Sequence, residues 1–173
     1  MEYRKNDIVT LEIVDCGTDG EGIGKADGFT VFVKDAVIGD TVAAKIMKAK
    51  NNYGYGRLME ILKPSPYRVE PVCPSARQCG GCQLQAVSYE EQKVFKEKKL
   101  RGHLERIGGF RDLPMEPLIG MDEPYHYRNK AQFPVGRNKE GRIITGFYAG
   151  RTHAIIENRD CALGIPQNKE VLD

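Results

Sequence analysis

FTVFVKDAVIGDTVAAKI, residues 29–46, decides the fold of the front part of the chain. Phe29 to Val33 is rich in β-branched and aromatic residues, the composition of a strand. Ile38-Gly39-Asp40 is a turn signal, and Thr41 to Ile46 resumes a strand pattern. Upstream, Val9, Leu11 and Ile13 alternate with Thr10 and Glu12, the period of a half-buried strand. Between them, Gly17 to Gly28 is glycine-rich, with Gly20, Gly22 and Gly24 two apart. No helix pattern follows those glycines, so they form no dinucleotide-binding turn, and the run reads as a hairpin connection. Downstream, Asn51-Asn52 and Gly54 punctuate before a strand from Tyr55 to Ile61. Four or five short, closely spaced strands predict a small OB-fold-like β-barrel over residues 1–62.

Beyond the barrel, Pro64, Pro66, Pro71 and Pro74 predict a stiff linker. Ser88 opens a helix, with Glu91 three residues on as the partner of a capping box. Tyr89, Leu100, Leu104 and Ile107 fall on one helical stripe, and Gly108-Gly109 ends it. Tyr127 to Val135, Ile143 to Ala149 and Thr152 to Glu157 read as strands, with a turn at Asn138 to Gly141. Pro166 opens a further helix. Residues 63–173 are therefore expected to form an α+β part behind the barrel, giving a mainly β chain.

The composition is that of a globular protein: 173 residues, 40% hydrophobic and 29% charged. No stretch approaches the ~20 apolar residues of a membrane helix, and MEYRKNDIVT has no apolar signal core. The expectation is a cytoplasmic chain with no membrane partner, in a compartment where thiols persist as metal ligands. Five cysteines, an odd number, do not make a complete disulfide framework. Through Leu62 there are 8 Lys plus Arg against 10 Asp plus Glu, a net of −2. From Lys63 onward it is 18 against 14, a net of +4. The basic excess is compatible with phosphate contacts, although a solvated charged surface accounts for it more readily.

Cys73, Cys79 and Cys82 fall within CPSARQCGGC, and Cys161 lies far downstream. Structural zinc more often takes paired C-x2-4-C knuckles. Here the spacing is C-x5-C-x2-C with a lone distant fourth thiol. A compact loop can supply three corners of a cubane and a distant residue the fourth, so the spacing favours a 4Fe–4S cluster over zinc, with a redox-active disulfide a poorer third. Gly80 and Gly81 suit close backbone approach to such a centre. Cys16 reads as a small buried hydrophobe. His103, His126 and His153 are scattered and form no metal pair.

The run YHYRNKAQF, residues 125–133, mixes cations and aromatics. Strand alternation would put Arg128 and Lys130 on one face, placed for RNA phosphates. A cross-strand aromatic ladder with solvated charges fits the same residues equally well. Phe29, Phe32, Tyr53 and Tyr55 offer stacking to single-stranded RNA, with at least half of them expected in the core instead.

Three stretches in order carry a resemblance: GEGIGKADGFTVFVKDAVIGDTVAAKIMKAKNNYGYGRLMEIL, then RVEPVCPSARQCGGCQLQ, then YRNKAQFPV with TGFYAGRTHAIIENRDCALG. Together they span nearly the whole chain. The chain resembles the N-terminal portion of the bacterial 23S rRNA (uracil-5-)-methyltransferase family, which combines a TRAM domain with an iron–sulfur cluster. The resemblance implies S-adenosylmethionine as methyl donor and 23S ribosomal RNA as partner, with a monomeric enzyme. It implies addition of a cysteine thiolate to carbon 6 of a flipped-out uridine, and an acidic residue that removes the carbon-5 proton. It implies that Cys73, Cys79, Cys82 and Cys161 hold the cluster in a structural role. No strand–glycine turn–helix fingerprint is present and no cysteine fits the nucleophile. The expectation is that no catalytic or S-adenosylmethionine-binding residue lies in this chain, that the Rossmann-like methyltransferase domain is absent from it, and that it is inactive alone. The alternative is a stand-alone RNA-binding iron–sulfur or zinc adaptor.

Overall fold

Val9, Leu11 and Ile13 point inward from β1 (Ile8–Cys16), as their alternation requires. The computed structural model describes residues 3–172. β1 is followed by β2 (Gly22–Ala26), β3 (Phe29–Lys34), β4 (Thr41–Ala49) and β5 (Tyr53–Lys63). These five close into a barrel in the order β1-β2-β3-β5-β4. All pairs are antiparallel except β3 with β5. Closure leaves no open edge to aggregate. The core is made by Val9, Leu11, Ile13, Phe29, Val31, Val33, Val42, Ala44 and Ile46 with smaller neighbours.

Two expectations for this region change. The glycine-rich run is a connection only up to Gly20, which takes φ +82° in the turn; Gly22 and Gly24 lie inside β2, paired with Cys16 and Ile13 of β1. Their alternation passes for a loop because the inward positions carry no side chain. A Cβ on Gly24 would collide with the Leu11 side chain and the Glu12 carbonyl oxygen, and one on Gly22 would meet the Ala36 carbonyl at 2.8 Å. Gly24→Ala is therefore expected to destabilise the barrel by about 2 kcal/mol through forced backbone displacement. Denaturant unfolding of the variant beside the parent chain measures this; equal midpoints would show that the strand relaxes freely.

The proline-rich segment is no free linker at its start. Ser65 is buried, and its backbone N–H donates to Asp40 Oδ1 at 2.8 Å. Asp40 is fully buried, its Oδ2 also accepting from the Val37 N–H at 2.7 Å. Arg68 donates to the same carboxylate from Nε and Nη2 and to the Asp35 carbonyl at 2.9 Å. Burial alone would raise the Asp40 carboxyl pKa. The Arg68 hydrogen bond and the Ser65 and Val37 N–H groups outweigh it and hold the group below the ordinary carboxylate value.

The chain divides into two compact units, the first running to Glu70 and taking in Ala86–Phe95, the second comprising Pro71–Gln85 and the residues from Lys96. In the first, Val69 and Ser88 donate to the Ala86 and Tyr67 carbonyls. α1 (Tyr89–Arg106) begins as expected: Ser88 Oγ accepts from the Glu91 N–H at 3.4 Å. Only this half of the capping box is seen, because the Ser88 N–H already donates to Tyr67. The expected apolar stripe is not a buried face, since Leu100 is 52% and Ile107 81% exposed. Gly109 ends the helix at φ +72°.

The second unit holds β6 (Val135–Arg137), β7 (Ile143–Tyr148) and β8 (Ile155–Glu157) in one antiparallel sheet, and α2 (Gln167–Leu172). The strand expected over Tyr127 to Val135 is not formed. Pro134 has no N–H to give a ladder, and before Val135, where β6 begins, the segment pairs at the single bridge Arg128↔Gly164. Among the described residues, the buried apolar side chains of this unit are Cys73, Cys79, Ile144 and Ala162. That is a thin core, and three of the four lie at or beside the cysteine centre.

Candidate functional site

The loop from Cys73 to Cys82 folds as a series of tight turns. Ala76 N–H donates to the Cys73 carbonyl, and the Gln78 and Cys79 N–H groups both donate to Ser75. Cys79 then bridges to Ala149, just past β7, and Gly80 N–H donates to the Tyr148 carbonyl at 2.9 Å. A Cβ at Gly80 would meet that same carbonyl oxygen at 2.9 Å and the Gly150 backbone at 3.1 Å. Glycine is thus needed there for the approach of loop to strand. Gly81 serves the thiols: its N–H donates to Cys79 Sγ at 3.3 Å.

Cys161 comes from the other end of the unit, where His126 and Arg128 N–H groups donate to the Ala162 and Leu163 carbonyls. The outcome is that Cys73, Cys79, Cys82 and Cys161 line one cavity. None of the four is in a disulfide. Burial pushes the Cys82 thiol pKa up; a hydrogen bond with the Gln85 side chain works against it, and the neighbouring Cys79, Cys161 and Cys73 add to the rise. Yet among the described residues no three His, Cys, Asp or Glu side chains are placed to hold a single metal ion. The donor set is soft, the rest of the lining includes Phe147, Ala162 and Leu163, and N–H groups aim at sulfur. Those features fit a cluster held by thiolates.

Two residues that sequence reading missed complete the surroundings. Asn158, past the end of β8, donates from Nδ2 to Cys73 Sγ at 3.6 Å and from its backbone to the Thr145 carbonyl. Gln85 accepts the Cys73 N–H at 3.1 Å and touches the Cys82 thiol. Neutral amides carry no spacing signature; the only hint was their place within three or four residues of a ligand.

Arg128 and Lys130 are not brought together on a sheet face. Arg128 is half-buried and lines the cysteine cavity, whereas Lys130 is exposed. Alternation puts successive side chains on fixed faces only in a laddered strand. Of the barrel aromatics, Phe29 is in the core, while Phe32, Tyr53 and Tyr55 point outward. Cys16 is half-buried at the end of β1 rather than in the core. His126 bonds the Gly164 carbonyl through Nδ1 at 2.9 Å, and His153 packs edge-on against Tyr148.

A five-stranded barrel followed by a four-cysteine centre defines the class of chain: a small OB-like module joined to a thiol-rich α+β unit. Residues 4–59 match the TRAM domain. Over 98% of its length the chain is 45% identical to a protein of Halalkalibacterium halodurans named as an uncharacterized RNA methyltransferase, and over 93% it is 48% identical to one of the same description from Clostridium tetani. The chain spans 37% and 35% of the length of these curated relatives. Among solved structures, that of the Pyrococcus abyssi tRNA (uracil-54, C5)-methyltransferase in complex with S-adenosyl-L-homocysteine matches 93% of this chain and 34% of its own, with a TM-score of 0.57 and 22% identity. At that identity the likeness speaks for the fold alone. No helix among the described residues is long and apolar enough to cross a membrane.

Proposed function

We propose that these residues form the RNA-recognition part of an S-adenosylmethionine-dependent RNA (uracil-C5-)-methyltransferase acting on ribosomal RNA. In this reading Cys73, Cys79, Cys82 and Cys161 hold a 4Fe–4S cluster. The observation that carries it is the gathering of four thiols from two distant segments round one cavity, in a chain whose front matches a TRAM domain. The spacing C-x5-C-x2-C with a lone distant fourth thiol suits a multi-iron centre better than one zinc, which more often takes paired knuckles. The cluster's part is structural: it supplies the core that the second unit otherwise lacks. Arg128, which lines the cavity with the thiols, partly offsets their negative charge, and exposed Lys130 provides a cation for phosphate. The uridine chemistry belongs to residues outside this stretch, since in this reading four of the five cysteines are taken up by the centre. No methyl transfer is expected from the 173 residues alone.

Anaerobic purification followed by iron, sulfide and zinc analysis tests the centre. About four irons with matching sulfide are expected; one zinc and no iron would instead support the adaptor reading. RNA binding tests the rest. Lys130→Ala is expected to weaken binding and to make the log–log salt slope shallower by about 0.7, one phosphate's worth on a single strand. Unchanged binding at low and high salt would remove Lys130 from the contact surface.

A further inference from the structure

The stretch YGYGR, residues 53–57, inverts the usual arrangement of a barrel strand. Its glycines face the core and its aromatics face outward. Gly54 lies against the Phe29 ring, where a Cβ would sit 3.0 Å from Cε1, and Gly56 lies against Val31 and Ala44. Tyr53 and Tyr55 are 39% and 37% exposed. Core packing therefore gives no reason for the two tyrosines. On the neighbouring strand Phe32 stands opposite Tyr55. The three rings touch: Tyr53 to Tyr55 at 5.9 Å and Phe32 to Tyr53 at 5.9 Å, both edge-on, and Phe32 to Tyr55 at 5.6 Å, tilted. Edge-on contacts leave ring faces open that a face-to-face stack would cover.

The surroundings are mainly cationic. Strand register sets Lys34, Arg57 and Lys45 in one row across β3, β5 and β4. Lys48 stands opposite Tyr55, and Lys25 stands opposite Thr30, itself opposite Tyr53. The outward positions of these rows hold five cations against one acid, Asp15, which stands opposite Ile23 and so in the row of Phe32, although the first 62 residues carry a net of −2. The positive charge of this part of the chain is thus concentrated where the rings are.

We propose that Phe32, Tyr53 and Tyr55 form a stacking platform for unpaired bases of single-stranded RNA, with Lys25, Lys34, Lys45, Lys48 and Arg57 tracking its phosphates. Exposed ring faces can be met only by bases that are not already stacked in a duplex, so a single strand is the ligand that uses both halves of the surface. The inference rests on the RNA-binding reading above and assigns it a location on the barrel.

The test uses the whole chain and a labelled single-stranded RNA of about 12 nucleotides, within the site size of one OB-type module, beside a blunt RNA duplex of equal length. Replacing Tyr55 by Ala should weaken single-strand binding about tenfold, and Tyr53→Ala with Tyr55→Ala about a hundredfold. The double Tyr→Phe variant should bind like the parent, which separates ring stacking from hydroxyl bonding and from loss of fold. Lys34→Gln with Arg57→Gln should flatten the salt slope, and the tyrosine variants should leave it alone. Because the chain has eight Tyr and no Trp, quenching of tyrosine emission by the strand in the unaltered protein reports stacking directly. Single-strand binding that survives the double Ala change, or duplex binding that falls in parallel with it, overturns the platform and leaves the RNA reading standing. A parent chain that binds neither RNA overturns the reading itself.

Discussion

Cys161→Ser is expected to lower the iron content from about four per chain to below about one and to unfold the second unit. Four buried apolar residues make up what core that unit has among the described residues, and two of them, Cys73 and Cys79, are thiols of the proposed centre. Without a bound centre there is little apolar area left to offset the entropy of ordering this part of the chain. The binding free energy of such a centre is, to that extent, folding free energy. Serine is nearly the size of cysteine, but its hydroxyl is a hard, weakly acidic ligand, so the change removes a bond without opening a cavity. Hydrogen exchange should then show protection lost over Pro71–Gln85 and over β7 and β8. The barrel, whose core is built from its own strands, should keep its protection. Cys16→Ser serves as the control and should leave iron and exchange unchanged. A Cys161→Ser protein with full iron would strike that residue from the ligand set, and iron loss without a change in exchange would show the second unit to be self-supporting.

How much of this was legible in the sequence depended on which force fixed each element. β1, β3 and β4 follow from period-2 burial, because each inward position carries an apolar side chain. β2 was hidden, because two of its inward positions are glycines demanded by contact with β1 and with Ala36. The four thiols stood out by their spacing, and the fold brings them round one cavity. Asn158 and Gln85 were not, because an amide's partner is decided by tertiary approach. The linker was misread for a related reason. Prolines report local stiffness, whereas the anchor of Ser65 and Arg68 lies in Asp40, which sequence alone presents as an ordinary turn residue. Alternation misled at Arg128 and Lys130, where no neighbouring strand enforces it, and at Tyr53 and Tyr55 the register had to be known before the rings could be set outside.

Asp40→Asn should cost about 3–5 kcal/mol, the range for breaking a buried ion pair on one side. Domain stabilities total only ~5–15 kcal/mol, so this one oxygen-to-nitrogen exchange removes much of what holds the barrel folded. Asp40 is wholly buried and accepts from the Val37 N–H, the Ser65 N–H and the Arg68 guanidinium. An amide offers one acceptor atom in place of two and points its own N–H groups at donors. Arg68, only 18% exposed in its side chain, is left with its charge uncompensated. Arg68→Lys should cost less, because charge is kept while the fork that meets both carboxylate oxygens is lost. The pH dependence has a fixed sign. Asp40 is held below the ordinary carboxylate pKa in the folded state, so its contribution is complete above the unfolded value of ~3.9 and is lost as pH falls through the folded value. The stability gap between parent and Asp40→Asn should therefore be constant near neutrality and narrow only below about pH 4. Denaturant unfolding of both proteins from neutral pH into acid measures the gap. One that persists undiminished far into acid would show that shape at position 40, rather than charge, holds the turn.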